Sequence, residues 1–359
     1  MKILILGGSR FIGRRLAREL EEGGHQVSLF TRGLADDGLG SGVERLRGDR
    51  RSAADLRAAV GGRSFDAAYD FLSYDARDAR LAIEALHGRA ARFVHISTCS
   101  VYWCAGEFPC PVEESDYARL DASRERPTSI EYAYGAGKRA AEDELRRAHE
   151  EAGFPVTLIR MPIVAGEEDS SLRYAGYVQR LADGGPLVLP DGGHAPFRHV
   201  YVGDVTRTLR LLGQSTIGVG EAYNLACREI LTLRRIVDGI ARLMGRDPER
   251  VAVPAAHARR AVGESWAALF PFSQEAAQVP SIRKARHDLA WEPTPWETWL
   301  ERSVTWAARH LESGGASPPS SGHRARELDL ARRWRETALG GPERLSFDAE
   351  ASTSGEPPK

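Results

Sequence analysis

The first thirty residues restrict the fold more than any other part of the chain. Ile3-Leu4-Ile5-Leu6 is a short apolar strand that runs directly into Gly7-Gly8-Ser9-Arg10-Phe11-Ile12-Gly13. Phe11–Glu22 follows with helical periodicity, Gly23-Gly24 closes it, and Gln26–Phe30 is strand-like again. A strand, a glycine-rich turn and a helix leading back to a strand make a βαβ unit. The pattern continues to residue 160, with strands expected at Val43–Arg47, Ala67–Leu72, Arg92–Ser97 and Val156–Arg160. Helices are expected at Ala53–Val60, at Ala76–Leu86 and from the segment around Tyr134. Such alternation predicts an α/β fold, a Rossmann-type doubly wound parallel sheet with helices on both faces.

Beyond Met161 the alternation fails. Gly- and Pro-rich segments are interleaved with helices starting near Val205 and Leu233. The sequence therefore divides into a dinucleotide-binding domain over 1–160, a smaller α/β substrate domain over 161–312, and a polar tail over 313–359. A return segment near 198–213 rejoins the first domain. The tail is rich in Gly, Ser and Pro, contains one charged helix over Arg324–Thr337, and is expected to be disordered at its ends. The roughly 30-residue connection from Ser100 to Glu131 is too long for a plain loop and is expected to carry function.

The chain of 359 residues has net charge −1. That balance gives no reason to expect nucleic acid or an anionic membrane as partner, and a small-molecule substrate is the expected one. No apolar run approaches the roughly 18 residues of a membrane span. The amino terminus reads as a strand rather than a signal peptide, and the four cysteines show no zinc spacing. Reduced cysteines, no metal and a cytoplasmic location are the expectations.

Glycines in the first turn let the backbone approach a pyrophosphate resting on a helix N-terminus. The second strand ends in Phe30-Thr31-Arg32-Gly33, without the carboxylate that would bind the ribose 2′-hydroxyl of NAD. Arg32, with Arg10 in the turn, suits a 2′-phosphate instead, so NADP is favoured, while Asp36 and Asp37 keep NAD open. Asp49 and Arg50 are placed to bracket the adenine, Asp49 accepting from its amino group and Arg50 stacking.

Tyr134 and Lys138 form the second informative feature. Lysine occurs only at positions 2, 138, 284 and 359. One that falls four residues after a tyrosine shares its helix face. A nearby ammonium stabilises a phenolate, which makes a tyrosine usable as an acid or base near neutral pH.

With the glycine turn, Thr98-Cys99-Ser100-Val101-Tyr102 and Tyr134-x-x-x-Lys138, the chain resembles the extended short-chain dehydrogenase/reductases of the NAD-dependent epimerase/dehydratase type. Pro111–Glu114, Arg160–Gly166, Arg198–Val205, Tyr223–Leu225 and Leu289–Pro293 carry the resemblance through most of the chain. It implies an NAD(P)-dependent oxidoreductase moving hydride at a carbonyl or carbinol of a small polar, sugar-like or biosynthetic metabolite. Tyr134 is implied as general acid/base, Lys138 as holder of the nicotinamide ribose, and Thr98 as partner of the substrate oxygen. The implied cofactor set is Gly7, Gly8, Ser9, Arg10, Phe11, Ile12, Gly13, Arg32, Asp49, Arg50, Phe71, Leu72, Ser97, Tyr134, Lys138, Met161, Pro162 and Ile163. Ser100, Tyr102, Arg173 and Arg198 are implied for substrate. Dimerisation through helices near 76–87 and 131–152 is a further implication.

Two departures narrow the reaction. Cys99-Ser100 stands where the family's sugar dehydratases carry Asp-Glu, which argues against dehydration. No Asn occurs over Met161–Glu168, which weakens a nucleotide-sugar substrate. The alternatives are a nucleotide-sugar epimerase that retains NAD and a non-catalytic nucleotide- or RNA-binding relative.

Overall fold

A computed structural model describes residues 1–34, 36–105, 107–120, 130–274 and 276–339. The chain runs β1 (Lys2–Leu6), α1 (Phe11–Glu22), β2 (Gln26–Thr31), β3 (Glu44–Arg47), α2 (Ala53–Val60), β4 (Ala67–Asp70), α3 (Ala76–Leu86), β5 (Phe93–Thr98) and α4 (Ser100–Trp103). A 3₁₀ turn at Glu114–Arg119 leads towards α5 (Ile130–Ala152), β6 (Val156–Met161), β7 (Val164–Ala165), α6 (Arg173–Ala182), β8 (Leu187–Pro190), β9 (Val200–Tyr201) and α7 (Val202–Gln214). Then come β10 (Ala222–Asn224), α8 (Leu233–Leu243), β11 (Arg250–Val253), α9 (Ala255–Val262), α10 (Trp266–Leu269), α11 (Arg283–Leu289), α12 (Trp296–Glu312) and α13 (Arg324–Leu339).

Seven strands form one parallel sheet in the order β10-β6-β5-β4-β1-β2-β3. Alternation along β1 explains why it lies at the centre. Ile3 and Ile5 enter the core under α1 and α7, while Leu4 and Leu6 enter the one under α2, α3 and α5. The chain leaves β1 towards β2 on one side and reaches β4 on the other. The crevice between the carboxyl ends of β1 and β4 is therefore the topological switch point, where ligands of open α/β sheets bind. β4 was expected to reach Leu72 and stops at Asp70. The Asp70 carboxylate accepts from the backbone N–H of Leu72 at 2.8 Å and of Ser73 at 3.1 Å, which turns the chain out of the sheet.

A second core lies among α6, α8 and α12, with Trp299 fully buried in it, and β8 pairs in parallel with β11. The charged helix expected in the C-terminal tail is present as α13, and it is docked rather than solvated. Its Leu330 and Ala331 are buried against Val188, Val251, Val253 and Phe270. Glu327 of the same helix is buried and accepts from Arg180 at 3.2 Å, Arg324 at 2.7 Å and the backbone N–H of Val188 at 3.0 Å. Residues 340–359 of the tail, and 121–129 of the long connection before α5, lie outside the described residues. Among the described residues, no helix is long and apolar enough to cross a membrane.

Candidate active site

The turn after β1 is shaped by what its glycines lack. Gly7 and Gly8 adopt φ of 88° and 85°, a region that side chains rarely occupy. A Cβ on Gly8 would lie 2.8 Å from the Ile5 side chain, and one on Gly13 would overlap the Cα of Gly8. The first turn of α1 is thereby drawn against the strand end, leaving backbone N–H groups at the switch point. That cradle fits a pyrophosphate on geometric grounds. Arg10 precedes α1 with φ −138°, ordinary extended backbone, so an arginine there imposes no strain. Phe11 takes φ +41° and packs, with Ile12, against the second core. Leu72 sits beneath Gly7, whose added Cβ would fall 2.6 Å from its Cγ, and Phe71 packs on the core beside β1. The structure thus brings Gly7–Gly13, Phe71 and Leu72 together.

At the end of β2 the acids Asp36 and Asp37 are already engaged. Asp37 is bound by Arg45 at 2.8 Å, and this bond holds its carboxyl below the usual range. The Asp36 carboxylate accepts from the backbone N–H of Gly38 at 3.0 Å. The side chains of Arg32 and Arg10 are exposed and make no hydrogen bond or ion pair among the described residues. Arg47, at the end of β3, lies beside the residue that follows Arg32: a Cβ on Gly33 would be 3.2 Å from its guanidinium carbon. Sequence reasoning missed Arg47, because the pairing of β2 with β3 is what brings it alongside.

The adenine bracket needs correction. Arg50 is buried, not free to stack. It donates to Asp70 at 2.6 Å, to the Asp78 carbonyl at 2.6 Å and to the Ser73 hydroxyl. Burial opposes the charge on Asp70, but Arg50, together with His95, the Ser73 hydroxyl and the Leu72 N–H, holds the carboxyl below its ordinary range. Asp49 is exposed and accepts from the backbone N–H of Arg51 at 2.8 Å, while Ser52 caps α2 through Asp55.

Tyr134, Lys138 and Thr98 converge at the carboxyl ends of β5 and β6. Tyr134 is 40% exposed, but its hydroxyl is hydrogen-bonded with Thr98, and Thr98 is 9% exposed. Burial of that end, with Tyr74 nearby, raises the phenol above its ordinary value, while the bond to Thr98 and the charge of Arg173 pull the other way. The net shift is therefore upward, against the lowering expected from Lys138. Lys138 is 2% exposed and its ammonium donates to the Ile96 carbonyl at 2.8 Å. It also lies 4.9 Å from the centre of the Tyr74 ring, which is 6.3 Å from that of Tyr134. Tyr74 was not singled out in the sequence. Its place is set by Gly137, where a Cβ would meet the Tyr74 carbonyl at 2.5 Å.

Burial pushes Lys138 down to about 8 despite Asp70 and Glu142 nearby. The unfolded chain holds this proton more tightly, with an ordinary pKa of about 10.4. The penalty is therefore complete below pH 8 and disappears as pH rises to about 10.4. Lys138→Met is expected to stabilise the fold by on the order of 3 kcal/mol at pH 7, with the gain shrinking across that window. Urea midpoints of both proteins at pH 7 and pH 10 check this, and a gain that grows with pH would contradict it.

Below the tyrosine lies a buried polar network. Glu142 and Arg160 are both fully buried and joined at 2.5 Å, and the Arg160 Nε donates to both carboxylate oxygens at 3.0 and 3.1 Å. Ser97 donates to Glu142 at 2.5 Å. Arg160 donates to the Tyr102 hydroxyl at 2.7 Å, which donates to Asn224 at 2.8 Å. Tyr102 is thus a buried strut, not a substrate contact, and the Ser97 hydroxyl is taken by Glu142. Arg198 donates to the Pro280 carbonyl at 2.8 Å and the Arg228 carbonyl at 3.1 Å, so it clamps backbone rather than facing an anion. The Ser100 hydroxyl stays beside Thr98, at 3.1 Å. Met161, Pro162 and Ile163 follow β6, and the Met161 carbonyl accepts from the Cys99 N–H at 2.9 Å. Glu142 escaped sequence reasoning although a signal was present, since it continues the spacing of four from Tyr134 and Lys138.

The model of the NAD dependent epimerase/dehydratase family matches residues 3–226. Among curated proteins, the chain is 28% identical over 309 residues to the chloroplast stem-loop binding protein of 41 kDa b of Arabidopsis thaliana, covering 81% of this chain and 75% of that protein. It is 28% identical over 259 residues to 2′-dehydrokanamycin reductase of Streptomyces kanamyceticus, covering 71% and 70%. Its fold is similar to that of UDP-glucuronic acid 4-epimerase from Bacillus cereus, solved in complex with NAD. The TM-score is 0.66 at 20% identity, covering 86% of this chain and 99% of that one.

Proposed function

Because the chain belongs to the NAD dependent epimerase/dehydratase family, an enzyme family of the extended short-chain dehydrogenase/reductase type, we propose that it is an NADP(H)-dependent reductase of a ketone in a small polar metabolite. One observation carries the reading: Tyr134, kept protonated by burial, shares a hydrogen bond with Thr98 at the carboxyl end of β5, with Lys138 one turn further along α5. The residues after 161 that surround the second core serve as the substrate domain. When bound, the nicotinamide supplies the hydride. Thr98 and Tyr134 hold the substrate oxygen between them, and Tyr134 gives its proton to that oxygen as the carbonyl becomes an alcohol. Lys138 spends one donor on Ile96 and keeps two for the ribose hydroxyls. The glycine cradle takes the pyrophosphate.

The preference for NADP rests on Arg32 and Arg47 at the end of β2, where the acids are engaged, with Arg10 in the turn after β1. Arg32→Ala is expected to weaken NADPH by roughly ten- to a hundred-fold, the value of a charge-assisted contact, and NADH hardly at all. Equal losses in a fluorescence titration would remove Arg32 from that role. The reductase reading itself is tested by NADPH absorbance. A reductase consumes NADPH in step with product, whereas an epimerase leaves the absorbance unchanged over turnover.

The name of the Arabidopsis relative motivates a second reading, a stem-loop RNA binder. Retention of Tyr134 and Lys138 speaks for the enzyme. Tight low-salt RNA binding that is indifferent to Tyr134→Phe would favour the other reading.

A further inference from the structure

Arg173 opens α6 and belongs to two neighbourhoods at once. On one side it lines a cavity of about 310 Å³ together with Ser170, Ser171, Ala268, Pro271 and Ser320. On the other side its charge acts on the Tyr134 phenol and on the ring of His199. It is half-buried and makes no hydrogen bond or ion pair among the described residues. That sets it apart from Arg50, Arg160 and Arg180, the buried arginines among the described residues, each of which has a carboxylate. Asp169, four residues earlier, is engaged by the Ser171 hydroxyl at 2.6 and 2.7 Å. His199 offers no counter-charge, because its Nδ1 is bonded with the Tyr174 hydroxyl at 2.7 Å and burial keeps the ring neutral, with a pKa of about 3.

Two further polar atoms point the same way. The Ser320 hydroxyl, on a residue 2% exposed in the wall of this cavity, is buried without a partner among the described residues, and outside the cavity lining the Nε2 of His199 is likewise buried without one. A half-buried cation and unsatisfied buried donors are costly in a resting protein and are relieved by an anion. Arg198, the other arginine with an implied role at the substrate, is spent on backbone carbonyls. The cavity wall at Ala267–Pro271 and Pro319–Ser320 lies beyond residues 3–226, so it is particular to the carboxyl-terminal part of this chain. Glu327 of α13 pins that part in place on Arg180 and β8.

We infer that Arg173 determines specificity by binding an acidic group of the substrate, a carboxylate or a phosphate, so that the oxo carbon of the same molecule lies at Tyr134. The substrate class is then a small oxo acid or oxo phosphate. This inference rests on the reading of Tyr134 as the proton donor, and its test is separable from that reading.

The full chain is titrated calorimetrically, in the presence of NADPH, with malonate, inorganic phosphate and uncharged malonamide as probes. Wild type is expected to bind at least one of the two anions and not malonamide. Arg173→Met should weaken the anion roughly ten-fold or more, and Arg173→Lys should recover part of the loss. Since the Arg173 side chain has no partner among the described residues, both variants should keep the wild-type melting temperature, and Arg173→Lys alone carries the test if the Met variant does not fold. Tighter malonate indicates a carboxylate substrate, and tighter phosphate a phosphate ester. Absence of anion binding in wild type, equal binding by the variants, or malonamide binding as well as malonate would overturn the inference. Tyr134→Phe should leave the titrations unchanged. Anion binding that depends on Arg173 beside turnover that survives Tyr134→Phe would therefore overturn the catalytic reading alone.

Discussion

Replacing Tyr134 by Phe is expected to lower NADPH-dependent turnover by roughly two to four orders of magnitude, the usual worth of a positioned acid or base. The substitution removes one hydroxyl and keeps the ring, and the ring is what packs near Tyr74. Cofactor affinity should therefore change little, because neither the glycine cradle nor the arginines at the end of β2 touch that oxygen. The phenol lies above its ordinary value because burial disfavours the phenolate, so at neutral pH it is poised to donate a proton rather than accept one. Reduction needs a proton donor, which is why reduction is the proposed direction. The measurement is single-turnover oxidation of NADPH beside an equilibrium titration of NADPH. Unimpaired turnover would end the assignment, and a parallel loss of NADPH affinity would mean that the hydroxyl acts in cofactor binding instead.

The second large effect concerns stability. Arg160→Met should cost about 3–5 kcal/mol, because it leaves the fully buried Glu142 carboxylate without its guanidinium. Burial alone would drive that carboxyl to protonate, and Arg160, helped by Ser97 and Arg146, keeps the group ionised. The double replacement Arg160→Met with Glu142→Leu should recover much of the loss, since both charges are then gone. Urea denaturation of the three variants checks this. A loss below about 1 kcal/mol for Arg160→Met would show that water or rearrangement satisfies Glu142. The pair matters to the site because Glu142, Lys138 and Tyr134 ride on one face of α5. Ser97 of β5 and Arg160 of β6 grip that face through Glu142, and Tyr102 of α4 braces Arg160 from behind. Loosening the grip should move Tyr134 away from Thr98, so activity is expected to fall together with stability.

Much of the site was readable before any coordinates. The glycine turn, Tyr134, Lys138 and Thr98 each announce themselves within a few residues, through a period, a spacing of four or a strand end. The misplacements share one cause. Arg50 looks like a surface arginine available for stacking, but its partner Asp70 is 20 residues away on β4. Tyr102 looks like a neighbour of the substrate because it follows Thr98, yet a hydrogen bond from Arg160, 58 residues on, turns it into the interior. Lys138 sits where its spacing put it on α5, but the carbonyl it meets belongs to Ile96 on β5, 42 residues away.

Sequence alone determined the order of strands and helices, the parallel sheet, the position of the glycine turn and the helix face carrying Tyr134 and Lys138. Those features follow from backbone sterics and side-chain periodicity, which act between residues close along the chain. Only the tertiary structure decided which charges are spent and which are free: Arg50, Arg160 and Arg198 engaged, Arg32 and Arg173 open, and α13 docked rather than trailing. The strength and sign of a charge's effect depend on burial and on partners brought near by strand order, and neither is encoded within a short window of sequence.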